Sequence, residues 1–136
     1  MNTPTHLVAN YALLSDATVS RREKWSIILG AIVPDIVIFY MFFWALVTGL
    51  PQRTLWDVTY FEPGWQLAID ILNSFPIFMA LGLVGWLIKK RWMVFFSLSM
   101  CLHFIVDFFT HNDDAHRHFL PLSDYRFESP ISYWDR

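Results

Sequence analysis

Charge is what this sequence has least of. Only 16% of its 136 residues are Asp, Glu, Lys or Arg, against 55% hydrophobic and 18% aromatic. A soluble domain carries about a quarter of its residues charged, so this balance excludes an ordinary soluble fold and points to a lipid-facing one. An excess of positive charge is also missing. Ten basic and 12 acidic residues leave a net charge of −2, so no basic surface is available for nucleic acid. The single cysteine, Cys101, lies in an apolar stretch and cannot form an intrachain disulfide, so it says nothing about redox compartment. There is no internal repeat and no low-complexity linker, and the length suits one domain, 1–136. A secretory signal is not expected either. Thr3-Pro4-Thr5-His6 comes first and the basic cluster Arg21-Arg22-Glu23-Lys24 comes later, the reverse of a signal's order, so the first helix is expected to stay in the mature protein.

Long apolar runs are abundant. They predict an all-α polytopic membrane protein with three transmembrane helices, a short N-terminal helix that makes a fourth, and a polar tail. The expected helices are about 4–19, 25–48, 65–88 and 92–110, with tail 111–136. Thr3 followed by Pro4 reads as an N-cap and first helical position. Trp25 to Thr48 is 24 residues with one acid, Asp35, and no base. Pro34 opens that helix locally, and an acid beside a kink faces protein or water rather than lipid. Residues 49–64 form a polar connection with the aromatic-belt residues Trp56, Tyr60 and Phe61. Pro76 divides the third helix, and Gly30, Gly82 and Gly85 permit close packing.

Both basic clusters, Arg21-Arg22-Lys24 and Lys89-Lys90-Arg91, are expected on the cytoplasmic side of a bacterial inner membrane. Loop 49–64 and the tail are then periplasmic. At 1.5 Å per residue, Asp35 lies about 15 Å from the basic side, His103 about 17 Å, His6 about 21 Å and Asp107 about 23 Å. Four polar side chains from three segments therefore share one slab of the outer half.

The richest stretch is Cys101 to Pro121, with four of the five histidines. His103 and Asp107 share a helix face. Imidazole and carboxylate suit a divalent metal, zinc before manganese or iron, and His6, Asp35, His103 and Asp107 are the expected ligands. His111 is a possible fifth ligand; it or Asp70 is the candidate catalytic base or supporting group. Plainer readings stand beside these. His103 and Asp107 satisfy each other, Asp35 caps a half-helix, and His6 is an interfacial histidine. Asp70 snorkels to water, and His116 and His118 decorate a solvated loop.

Four elements carry a resemblance: Thr5-His6, Gly30-Ala31-Ile32-Val33-Pro34-Asp35, His103 to Asp107, and Pro121-Leu122-Ser123. In these the chain resembles a family of small bacterial inner-membrane proteins known as membrane-bound metal-dependent hydrolases, some of them LexA-regulated. The resemblance implies metal-dependent hydrolysis with His6, Asp35, His103 and Asp107 at the metal. Two family features are missing. Ile36-Val37-Ile38 stands where a second aspartate is usual, and no middle helix carries a His-Ser element. The tail from Asn112 to Asp135 resembles that of a shorter uncharacterised subgroup.

Two functions of different class follow. One is a hydrolase acting at the outer leaflet on a phosphoester or another lipid-linked group. The other, favoured by the thinner ligand set, is a non-catalytic accessory or assembly subunit of a larger membrane complex. A third, His103 as axial ligand to a haem or chlorophyll-type pigment, fits less naturally with Asp107 one turn away. The partners implied are the lipid bilayer and, on the second reading, other subunits.

Overall fold

The computed structural model describes residues 2–112 and 114–132. Asp113 and residues 133–136 of the expected tail lie outside the described residues. Helix α1, Thr3–Leu14, is capped by Asn2, whose side chain accepts from the Thr5 N–H at 3.1 Å. The cap is thus one residue earlier than expected, which releases the Thr3 hydroxyl for another partner. The helix also stops before 19. Asp16 accepts from the Thr18 N–H at 2.6 Å, a local bond that competes with helical pairing. At 12 residues, α1 rises about 18 Å, which is short of the ~30 Å hydrocarbon core.

Helix α2, Arg21–Ile32, begins four residues before the expected 25. Ser20 and Glu23 form a reciprocal capping box, with the Ser20 N–H donating to Glu23 at 2.7 Å. Pro34 interrupts the ladder as a 3₁₀ turn, Val33–Asp35, before α3, Ile36–Thr48. Residues 49–64 are more than a polar connection. They contain α4, Gln52–Asp57, and a 3₁₀ turn, Thr59–Phe61. Leu55 is fully buried there, in a cluster with Met41, Ala45, Tyr60 and Ile69, so apolar burial folds the segment. Helix α5, Pro63–Leu72, and α6, Phe75–Leu87, are separated at Asn73–Ser74. Ser74 restarts the chain by accepting from the Ile77 N–H at 3.3 Å. Helix α7 is Arg91–Phe108.

Among the described residues all regular structure is helical. Three rods, Arg21–Thr48, Pro63–Leu87 and Arg91–Phe108, are long and apolar enough to cross a membrane, the mark of a multi-pass membrane protein. α6 and α7 form an antiparallel hairpin. α2 runs parallel to α7, since Glu23 meets Arg91 at 3.1 Å while, further along, Ser99 donates to Ile27 O at 2.7 Å and His103 to Ala31 O at 3.0 Å. The two basic clusters therefore sit at the same end. Helix α1 lies antiparallel to both, with Asn10 donating to Ser99 O at 2.8 Å and Ser99 Oγ at 2.9 Å. In hydrocarbon such interhelical bonds replace the missing hydrophobic drive.

The α2–α7 approach depends on Gly30. A Cβ there would stand 2.6 Å from Phe96 O and 2.7 Å from Ser99 Cβ. Alanine gains about 1 kcal/mol in helix propensity, but overpacking costs ~1–3 kcal/mol and the Phe96 backbone cannot yield. Gly30→Ala is expected to lower the thermal midpoint in detergent. An unchanged midpoint would mean that the two helices part freely.

Candidate metal centre

The centre is assembled at the end of the bundle opposite the basic clusters. His103, in the last turns of α7, is fully buried. Its Nδ1–H donates to the Ala31 carbonyl at 3.0 Å. Ala31 belongs to the final turn of α2, where carbonyls lack intrahelical partners and accept from outside. That bond fixes the ring's orientation and leaves Nε2 pointing inward. Nε2 lies 2.9 Å from Asp107 Oδ2 and 3.6 Å from Asp35 Oδ1, without the alignment of a hydrogen bond. Facing two carboxylates, Nε2 calls for a positive charge between them, its own proton or a metal ion.

His6 enters from α1. Its ring stacks on His103 at 3.6 Å and 7°, and its Nε2 is 3.0 Å from Asp107 Oδ1. One ligand atom each from His6, His103 and Asp107 lies within 4.8 Å of the others, and all three residues are buried. Asp35 does not cap α3 with its side chain. It accepts from Thr3 Oγ1 instead and turns its other oxygen toward His103. The kink at Pro34 is what brings it to this face. The residues fit a divalent ion: mixed nitrogen and oxygen donors, a ring oriented from behind by the Ala31 carbonyl, and a buried Nε2 without a hydrogen bond.

His111 lies just beyond α7. Its Nε2 is 3.5 Å from Asp107 Oδ1, and its Nδ1 is 2.7 Å from Asp114 Oδ2. Burial opposes its positive charge, but the bonds to Asp107 and Asp114 outweigh it and raise its pKa to about 9. Asn10, one turn from His6, joins Ser99 rather than this cluster.

Asp70 is placed elsewhere. It does not snorkel: it is fully buried on α5, accepts from the Arg117 backbone N–H at 2.9 Å and Nε–H at 2.6 Å, and has Arg126 at 3.7 Å. The expectation that His116 and His118 are solvated is also overturned. They are 3% and 2% exposed. The tail folds back over the bundle instead of leaving it. The Phe75 N–H donates to His118 O at 2.9 Å, His118 Nδ1–H to Asn73 O at 2.8 Å, and the Ser129 N–H to His111 O at 2.9 Å. The break at Asn73–Ser74 supplies these partners. The sequence reading missed Thr3, Asp114 and Arg117. The alternation of Asp, His and Arg over 113–118 was the available signal for the last two.

Burial, with the charges of His111 and His118, pushes the His116 pKa down to about 4. Its unfolded value is near 6.5, so the buried neutral ring costs nothing above that pH. Stability is lost as pH falls from about 6.5 toward 4, on the order of 3 kcal/mol in all. Hydrogen exchange at the Ser129 amide, corrected for intrinsic rate, should quicken between pH 7 and 4.5, and His116→Asn should flatten that response. An unchanged rate in wild type would show that the ring protonates in place.

The chain matches no family model, no curated protein and no solved structure.

Proposed function

We propose that this chain is a membrane-embedded, metal-dependent hydrolase of the kind its motifs resemble. In this reading His6, Asp35, His103 and Asp107 hold one divalent ion, zinc first, in the outer half of a bacterial inner membrane. The basic clusters are then cytoplasmic, while residues 49–64 and the tail are periplasmic. The observation that carries the reading is the meeting of His6 from the first helix with His103 and Asp107 from the last, within 4.8 Å. Such a meeting of buried polar groups is expensive in lipid and serves a purpose when it persists.

A divalent ion there supplies Lewis-acid polarisation of a substrate oxygen and makes bound water acidic. The remaining roles belong to the side chains. The stacked rings and the Ala31 bond orient the two imidazoles, and Thr3 holds Asp35. His111 is the proton-handling group: its Nε2 holds or releases a proton beside Asp107, while Asp114 at Nδ1 orients the ring and balances its charge. Asp70 acts through Arg117, holding the tail against the bundle. The substrate class is a phosphoester or other lipid-linked group at the outer leaflet.

Elemental analysis of protein purified in lipid nanodiscs and dialysed against zinc tests this. About one ion per chain is expected for wild type, and a loss for His103→Ala. Wild type without stoichiometric metal sinks the proposal and leaves the accessory-subunit reading.

A further inference from the structure

The opposite end of the bundle holds a separate feature. Arg21, Arg22, Lys24, Lys89, Lys90 and Arg91 gather there, with Asp16 and Glu23 as the nearby acids in sequence. Arg91 is tied to Glu23 at 3.1 Å, and Arg22 stacks over Trp92 at 4.9 Å, so the two clusters form one patch. Beside it is an open groove of about 280 Å³ lined by Gly85, Trp86, Lys89, Arg91 and Val94. Its walls are apolar and its rim cationic.

The rim residue is unusual. Helix α6 ends with the Lys90 N–H donating to Gly85 O at 2.7 Å and the Lys89 N–H donating to Trp86 O at 3.1 Å. This is the paired 6→1 and 5→2 closure that places its penultimate residue in the left-handed region, where glycine is the usual occupant. Lys89 holds that position at φ 58°. A lysine there is disfavoured by its own backbone, an outlier that motivates a role for its side chain.

The geometry points to an anionic phospholipid site: a headgroup phosphate between Lys89 and Arg91, with an acyl chain along Trp86 and Val94. Cationic groups at a membrane surface attract anionic lipid, and a groove converts a diffuse attraction into a place. This inference is independent of the metal centre.

The test compares thermal midpoints in nanodiscs of phosphatidylcholine alone and with phosphatidylglycerol, for wild type, Lys89→Gly and Lys24→Ala. The last variant removes the same charge from the same patch, away from the groove. In phosphatidylcholine, Lys89→Gly should be at least as stable as wild type, because glycine relieves the backbone. Its phosphatidylglycerol-dependent rise should fall to less than half of the wild-type rise, while Lys24→Ala keeps the full rise. Equal loss in both variants, or a full rise in Lys89→Gly, overturns the site. Inorganic phosphate with phosphatidylcholine, reproducing the rise, would also overturn it by showing that no lipid is needed.

Discussion

Asp107→Asn is expected to weaken metal retention at least ~100-fold, since even groups that merely support a ligand cost 10–100-fold when removed. The substitution keeps shape and volume. It removes a carboxylate that touches three imidazoles, at 3.0 Å from His6, 2.9 Å from His103 and 3.5 Å from His111. The amide also places N–H donors where acceptors were. Without metal, the fold should lose about 3 kcal/mol or more, the usual result of removing one partner from a buried charged pair. Zinc content after dialysis and a melt in detergent measure the two effects separately. Retained stoichiometric zinc would exclude Asp107 as a ligand, and an unchanged melt would show that the histidines need no carboxylate.

Asp70→Asn should have the next largest effect, and on a different part of the molecule. Asp70 is fully buried and is the anchor for Arg117, which also reaches Asp124 at 3.1 Å. Arg117 is partly exposed, so water screens some of the loss, and about 2–4 kcal/mol is the expected cost. The tail should then leave the bundle. Cleavage by trypsin at Arg117 and Arg126 is expected to accelerate well before the helices unfold. A tail that stays resistant would show that the His118 and Ser129 bonds suffice without the ion pair.

The three spanning rods were legible because lipid-facing helices must be apolar along their length, and no other element leaves that pattern. The kink at Pro34 and the break near Pro76 were legible because proline removes a backbone donor. The cap at Asn2 was misplaced because Thr3 is an equally good cap by type; only its bond to Asp35 decides between them. The helix hidden in 49–64 was not legible. Its drive is the burial of Leu55 against Met41 and Ile69, contacts made across distant parts of the chain. His118 looked like a loop histidine for the same reason: its partners, Asn73 and Phe75, are more than forty positions away in sequence, and His116 is buried beside it.

From the sequence alone came the all-helical, membrane-crossing class, one shared basic end, and a slab of depth common to His6, Asp35, His103 and Asp107. Hydropathy, charge and rise per residue act locally, so they can be read without a partner. The tertiary structure alone decided that His6, His103 and Asp107 meet, that Asp35 stands beside His103, and that His111 leans on Asp107. It also decided that Asp70 is spent on Arg117 and that the tail folds back against the bundle. Each of these depends on which faces of distant helices meet, here through the close approach at Gly30, and a linear string does not contain that information.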